Sequence, residues 1–246
     1  MKKRWNISCT SYPKFFTYRQ AVKCFVTIEV FLFIFSMVIL VVPSHKANAA
    51  HLSIVESGIC NIRLFGIIEE DDLAELMRLS SQFPENERLI LCLNSAGGSF
   101  MSGVKLASFI HENGIGTYVE RGAICESICS IVFFMGTSIE ENEKSINRGA
   151  SQGAQVGLGP PMLSVDANGS YTANQVMQAF ELALEATAQI TNLAKNIDNQ
   201  TGRYWIPISA LNMMLNAPPD DIYYIDSAED FQRWGIYITD YAGERK

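Results

Sequence analysis

Basic residues are scarce in this sequence beyond its first 50 residues. In that part of the chain 12 Lys and Arg stand against 25 Asp and Glu, a net charge of −13. Nucleic-acid phosphates require clustered Lys and Arg, so this charge excludes nucleic acid as a partner. It also argues against bound polyphosphate and coenzyme A, unless the fold hides a local basic pocket. We therefore expect no cofactor.

The sequence also lacks internal repeats, low-complexity segments and an apolar run long enough to cross a membrane. The apolar run Val30–Val42 has 13 residues, whereas a membrane span needs about 20. About 200 residues follow residue 50, which is enough for one hydrophobic core. Residues 51–246 are therefore predicted to form a single domain.

Residues 1–50 have the features of a secretory signal peptide. Six Lys and Arg and no acidic residue lie within residues 1–23, the apolar run follows, and Ala47-Asn48-Ala49-Ala50 supplies small residues for cleavage. We predict cleavage after Ala49 or Ala50 and a periplasmic or secreted domain. The alternative is an uncleaved membrane anchor, because the basic region is long and Glu29 interrupts the apolar stretch. Contact with a membrane is expected only in that case.

Four cysteines remain after the predicted cleavage: Cys60, Cys92, Cys125 and Cys129. An even number in an oxidising compartment indicates disulfides, with three pairings open. Cys125 and Cys129 lie four residues apart across a turn into a helix, so we expect them to come within bonding range. Buried free thiols are the alternative for Cys60 and Cys92. No second Cys or His pair follows Cys129, so no metal site is predicted.

Strand and helix patterns alternate along the first half of the domain. Leu89–Leu93, for example, is a continuous apolar run, as expected of a strand buried on both faces. The patterns predict strands at 60–66, 89–93 and 117–119, each followed by a helix, the last of which ends at Gly136. This alternation predicts an α/β fold with a mainly parallel sheet built by right-handed crossovers.

The second half of the domain has a less regular pattern. Residues 137–171 are polar and glycine-rich, and we predict a long loop around one short strand. A long helix is predicted at 172–196. A further helix after Trp205, a turn at 217–221 and a short helix at 227–234 complete the prediction.

Two loops have residues suited to acyl-transfer chemistry. Asn94–Ser99 places Gly97 and Gly98 between a buried strand and a helix. Glycines let main-chain N–H groups point at a ligand, and a helix N-terminus adds positive potential, so such a loop can stabilise an oxyanion. Taken alone, this segment is more typical of an ordinary strand-to-helix turn. The second loop, Gly122–Ser127, places Ser127 at the start of the next helix, beside the N–H of Ile128.

From Cys60 to Gly136 the order of these features resembles the Clp protease proteolytic subunit and its crotonase-like relatives. Asn-Ser-Ala-Gly-Gly-Ser at 94–99 is similar to the family's Asn-Ser-Pro-Gly-Gly-Ser, and Ser127–Gly136 is similar to its nucleophile helix. The resemblance is closest to a branch of exported Clp-protease-like bacterial proteins, which share the Cys-x-Ser-x-Cys element and a Pro-Pro-Asp-Asp-x-Tyr-Tyr stretch, here Pro218–Tyr224. It implies a Clp protease/crotonase-like fold. It also implies that Ser127 is the nucleophile and that N–H groups of Gly97 or Gly98 and of Ile128 form the oxyanion hole.

The rest of the family's catalytic triad is not matched. The family's histidine lies in a segment like Arg-Val-x-x-His-x-Pro, and here Leu158 or Gly159 stands at the histidine position. The family's aspartate falls near Tyr223, so Asp221 is only a neighbour. A serine hydroxyl without a base is a weak nucleophile.

Two histidines follow the predicted cleavage site, and neither is expected to reach Ser127. His51 begins the domain. His111 ends the helix that starts near Ser99, about 18 Å from the oxyanion loop at 1.5 Å per residue, and is predicted to be a solvated helix-end residue.

Lys144 is the better candidate for a substitute base. It follows Ser127 by 17 residues in the predicted loop, and a serine–lysine dyad requires its amine to be desolvated with a lowered pKa. Three neighbouring acids oppose that change: Glu140, Glu141 and Glu143. Lys105 lies well down its helix and is a weaker candidate.

Together these features predict a Clp-protease-like protein that binds an extended peptide or protein, or acts as a scaffold, without catalysis. The alternative is a serine peptidase or other acyl hydrolase that uses Ser127 with Lys144 or with a base from another subunit. Crotonase-like acyl-CoA chemistry is disfavoured by the net charge and by the scarcity of coenzyme A outside the cytoplasm. The oligomeric state stays open, a homo-oligomer included, and Pro218-Pro219-Asp220-Asp221 is predicted only as a turn.

Overall fold

A six-stranded sheet forms the centre of the fold in the computed structural model, which describes residues 50–84, 86–160, 169–218 and 221–239. Its first two strands, His51–Ile54 and Ile62–Phe65, pair antiparallel, and the other neighbours in this sheet are parallel. The mixed α/β fold with a mainly parallel main sheet is therefore confirmed. The strand order is β1 (His51–Ile54), β2 (Ile62–Phe65), β3 (Ile90–Asn94), β4 (Gly116–Val119), β8 (Arg148–Ser151) and β11 (Tyr237–Thr239).

Five further strands form two smaller sheets. β9 (Gln155–Leu158) lies between β5 (Ile124–Glu126), to which it is parallel, and β10 (Tyr223–Ile225), to which it is antiparallel. β6 (Thr137–Glu140) and β7 (Glu143–Ile146) form an antiparallel hairpin.

The described residues contain six helices, and capping side chains explain where α2 (Phe100–Glu112) and α4 (Ala173–Ala194) begin. In α2 the Oγ of Ser99 accepts a hydrogen bond from the Ser102 N–H, as expected of an N-cap. The α4 helix begins with a reciprocal capping box between Thr172 and Gln175. The α3 helix is buried at every position, which its continuously apolar sequence predicts. The helices are α1 (Asp72–Ser80), α2 (Phe100–Glu112), α3 (Ile128–Phe134), α4 (Ala173–Ala194), α5 (Ile208–Asn216) and α6 (Ala228–Arg233).

The prediction of a long loop around one strand at 137–171 is wrong, because β6 to β9 all lie within it. β6 and β7 are short strands of mostly polar residues. In β8 and β9 the glycines Gly149 and Gly157 obscure the strand pattern, since glycine is disfavoured in strands. Here they are required by close packing. A Cβ on Gly149 of β8 would lie 2.9 Å from the Tyr118 ring, and one on Gly157 of β9 would lie 2.8 Å from the Glu126 side chain.

Two disulfides join the four cysteines. Cys60 and Cys92 have Cα atoms 5.6 Å apart, so the alternative of free thiols at these positions is wrong. The Cα atoms of Cys125 and Cys129 are 5.1 Å apart, and the expected bridge between them is present.

Several predictions concern residues outside this description. The predicted signal peptide lies there up to residue 49, and so do Pro219 and Asp220 of the predicted turn. On either side of those two, the Asp221 N–H donates to Pro218 O at 3.0 Å, the bond expected of a turn. None of the helices in the described ranges is long and apolar enough to span a bilayer.

Candidate functional site

Ser127 joins β5 to α3 in a backbone conformation that residues other than glycine rarely adopt. Its φ is 52° and its ψ is −124°, outside the left-handed region that Asn and Asp tolerate. Such strain costs about 1–3 kcal/mol and persists only where the surrounding structure imposes it. A sharp, strained turn from strand to helix is the geometry that presents the nucleophilic serine in α/β-hydrolases.

Main-chain hydrogen bonds hold Ser127 in this turn from both sides. Its N–H donates to Gly157 O at 3.0 Å, and its carbonyl accepts from the N–H and the hydroxyl of Ser130. The Cys125–Cys129 disulfide closes the same turn covalently. The position of the hydroxyl is therefore set by the β5–β9 pairing and by the first turn of α3.

The glycine loop lies directly against Ser127. A Cβ on Gly97 would be 3.1 Å from Ser127 Cβ and 3.7 Å from its Oγ. Both Gly97 and Gly98 have positive φ, at 103° and 142°, so glycine is required for the backbone as well as for the approach. The structure thus brings together the two loops that the sequence singled out.

The N–H groups of Gly98 and Ile128 are among those at this junction that have no acceptor within the described residues. Gly98 and Ile68 form a parallel β-bridge, in which the Ile68 N–H donates to Gly97 O and the Ile68 carbonyl accepts from the Ser99 N–H. In this pattern the N–H of Gly98 is directed away from Ile68. The N–H of Gly97, by contrast, donates to Ser95 Oγ at 3.1 Å. Of the two glycines left open by the sequence, Gly98 therefore has the N–H that is available to a ligand oxygen.

The end of β9 lies beside Ser127, and neither Leu158 nor Gly159, the two positions at which the resemblance would place a histidine, is a base. A Cβ on Gly159 would lie 4.0 Å from Ser127 Cβ, and Leu158 is fully buried. Within the described ranges, the Ser127 hydroxyl donates to the main-chain oxygen of Pro160 at 3.3 Å. A peptide carbonyl cannot take the proton from a serine hydroxyl at neutral pH, so this contact orients the hydroxyl without activating it.

His111 and Lys144 lie together, away from Ser127. The His111 ring contacts Trp205 edge-on at 4.8 Å, and its Nδ1 lies 3.2 Å from Thr137 Oγ1. The prediction that His111 is solvated is wrong: burial, with a smaller effect of the Lys144 charge, lowers its pKa to about 4. Thr137 follows the C-terminal end of α3, whereas Ser127 precedes its start, and this seven-residue helix is about 10 Å long.

The remaining candidate bases are also bonded elsewhere or exposed. His51 is exposed at the start of β1, and Lys105 is exposed on α2. Asp221 is exposed as well, and its main-chain N–H donates to Pro218 O in the turn.

Glu126 and Tyr224 form a polar pair beside Ser127 that sequence reasoning missed. The Tyr224 hydroxyl donates to Glu126 Oε1 at 2.7 Å, and this bond raises the pKa of the tyrosine. The two side chains meet across Gly157, which lies between them in the sheet. Its missing side chain was the available signal, since a small residue in a strand marks a close approach. The carboxylate is thereby occupied by Tyr224.

One group of potential metal ligands occurs in the described residues, formed by Cys60, Cys92 and Glu120. The two sulfurs belong to a disulfide, and Glu120 accepts a bidentate bond from Arg63. Metal binding requires thiolates, so this group does not fit a metal ion.

No protein-family model matches this chain, and a search of curated proteins finds no significant match. The site is therefore defined by its own geometry: a strained serine, a glycine loop against it, two available N–H groups and, in the described residues, no base.

Proposed function

We propose that this protein is an exported Clp-protease-like protein that binds an extended peptide without cleaving it. The observation that supports this most directly is the Ser127 hydroxyl, which donates to Pro160 O and has no imidazole, amine or carboxylate as a partner in the described residues. Without a base, the glycine loop and the start of α3 retain the ability to bind an acceptor oxygen.

A peptide suits the chemistry of this junction. The free N–H groups of Gly98 and Ile128 match a main-chain carbonyl or a terminal carboxylate, and hydrogen bonds of this kind contribute about 1 kcal/mol each. The net charge of −13 beyond residue 50 favours peptides that carry Lys or Arg. Affinity should accordingly fall as salt is added.

A serine hydrolase remains the second proposal, because the strained φ of Ser127 is a feature that clusters at active sites. In that case the base comes from another subunit or from residues outside the described ranges. Lys144 is a poor choice, since its charge acts on His111 at the other end of α3.

The proposed location is the periplasm or the exterior. The basic and apolar N-terminal segment supports it, and so do two disulfides, which persist in oxidising compartments.

A fluorophosphonate probe on the full chain distinguishes the two proposals. A peptide-binding protein should remain unlabelled, whereas a hydrolase should be labelled at Ser127 and lose the label in Ser127→Ala. Removing one triad member typically costs about 10⁴–10⁶ in rate, so an incomplete site should also be silent in peptide and ester assays.

Peptide binding is tested by fluorescence anisotropy with a library of short basic and acidic peptides. Gly97→Ala should abolish binding, because its Cβ would lie 3.1 Å from Ser127 Cβ. Gly122→Ala is the matched control: its φ of 74° is also positive, but nothing lies within 4 Å of a Cβ there. Equal binding by both variants would place the peptide elsewhere.

A further inference from the structure

A cleft of about 430 Å³ concentrates positive charge in this acidic chain. Three arginines line it, namely Arg148, Arg203 and Arg233, together with Tyr204, Ser209 and Trp234. Pro207 and Ile208 complete the lining with apolar surface, and no lining residue is acidic. The volume is that of an ordinary small-molecule site.

Arg148 gives the cleft a positive charge at a fixed position. Its side chain is buried and donates to the carbonyls of Phe134, Trp205, Trp234 and Gly235, with no carboxylate among its hydrogen-bond partners. Burial lowers its pKa to about 9, with a further contribution from the Arg203 charge, so it stays protonated at neutral pH. The four carbonyls orient this charge, and the negative charge of Asp198 opposes the lowering of the pKa without forming an ion pair with Arg148.

Arg203 supplies a cation without a counter-ion. Within the described ranges its guanidinium makes no ion pair and no hydrogen bond. The nearest buried acid, Asp198, is already occupied by the Gln200 N–H and the Thr201 hydroxyl, at 2.9 and 2.8 Å. Arg233 reaches only the exposed Glu229 and the mostly shielded Asp230, at 3.4 and 3.6 Å.

Trp234, another lining residue, has an unsatisfied hydrogen-bond donor. It lines the cleft and is 7% exposed. Its Nε1 is shielded from water and has no hydrogen-bond partner. Buried donors are nearly always satisfied, and leaving one unpaired costs about 1–3 kcal/mol.

We propose that this cleft binds a small oxyanion ligand, with Arg203 as its principal partner and Arg148 and Arg233 as supporting charges. Arginine is the residue best suited to bind phosphate or carboxylate oxygens, because its planar group donates two parallel hydrogen bonds. Pro207 and Ile208 can hold an apolar body attached to the anion. The site is separate from Ser127, since Arg148 binds the carbonyl of Phe134 at the opposite end of α3.

Isothermal titration calorimetry on the full chain tests this with inorganic phosphate and with phenyl phosphate, at an ionic strength kept constant with sodium chloride. We expect saturable binding, weakened about tenfold to a hundredfold in Arg203→Gln, the effect of losing a charged hydrogen-bond partner. Arg78→Gln is the matched control, because it removes an exposed arginine that is paired with Glu75 on α1. Tighter binding of phenyl phosphate identifies an organic anion as the ligand, and equal binding identifies the bare ion.

The indole N–H resonances give a second readout. Binding should shift the Trp234 Nε1–H signal, assigned with Trp234→Phe, more than that of Trp205, whose Nε1–H already donates to Thr137 Oγ1 at 2.9 Å. Ser127→Ala should bind both probes as wild type does, which separates this site from the peptide site. The proposal is overturned if neither probe binds saturably, or if Arg203→Gln binds as tightly as wild type.

Discussion

The strain at Ser127 predicts an inversion of the usual preference for alanine over glycine. Ser127→Ala and Ser127→Gly both remove the hydroxyl and its bond to Pro160 O, so that loss cancels between them. Alanine at φ 52° and ψ −124° keeps a strain of about 1–3 kcal/mol that glycine does not have. Glycine loses about 0.4–1 kcal/mol through the greater entropy of its unfolded chain. The glycine variant should therefore be the more stable by about 1 kcal/mol.

Urea unfolding of both variants under non-reducing conditions measures this difference, and in a domain of this size it corresponds to about 2–4 °C in Tm. Ser227 is the matched control: it also precedes a helix, but its φ is −95° and its Oγ caps the helix through the Asp230 N–H at 3.1 Å. The difference in stability between Ser227→Gly and Ser227→Ala therefore measures the general preference between glycine and alanine at a helix start in the absence of strain. If alanine at 127 were as stable as glycine, or if the two sites behaved alike, the strained turn would not exist in solution.

Three further predictions concern the buried polar and covalent features of the fold. Replacing the Cys60–Cys92 pair by serine should lower the free energy of unfolding by about 4 kcal/mol, and replacing Cys125–Cys129 should lower it by about 2 kcal/mol, since the closed loops span 32 and 4 residues. Urea unfolding measures both losses, and the reverse order would contradict the chain-entropy argument. The pKa of His111, lowered from 6.5 to about 4, means that the unfolded chain binds the extra proton first, so the free energy of unfolding should fall as pH drops from about 6.5 towards 4. His111→Gln should flatten that part of the pH profile, and a profile as steep as wild type would place the titrating group elsewhere. Arg148→Leu should lower the free energy of unfolding by about 3–5 kcal/mol, because it leaves several buried carbonyls without donors. Arg148→Lys should lose less, because its ammonium group can still donate to some of them. A loss below about 1 kcal/mol in circular-dichroism melts of Arg148→Leu would show that these bonds matter little.

Much of the parallel sheet could be predicted because its signals are local. Leu91 to Leu93 form a continuous apolar run and are buried in β3, and the regular helical spacing after Ser99 corresponds to α2. The strands between 137 and 158 could not be predicted in the same way. Gly149 and Gly157 weaken any strand pattern, and their role becomes visible only when Tyr118, Glu126 and Tyr224 are seen packed against them.

The candidate site also combines features that the local sequence predicts with features that depend on tertiary contacts. The residue types at Gly97, Gly98 and Ser127, and the absence of a histidine at 158–159, are properties of the sequence, because each depends on the order of a few neighbouring residues. Tertiary structure decided that Gly97 lies against Ser127, that Ser127 Oγ faces Pro160 O, and that the Gly98 N–H is available while that of Gly97 is not.

From the sequence alone one can establish an acidic composition beyond residue 50, an α/β pattern, four cysteines in that part of the chain and a serine at the start of an apolar helix. Three features became visible only in the folded chain: the pairing of the cysteines, the contact of half-buried His111 with Trp205, and the lining of one cleft by three arginines in spite of the net negative charge. This difference arises from the separation along the chain between the residues that interact. Periodicity and capping act within a few residues, whereas the meeting of Arg148, Arg203 and Arg233 depends on how β8, the segment before α5 and the end of α6 are packed together.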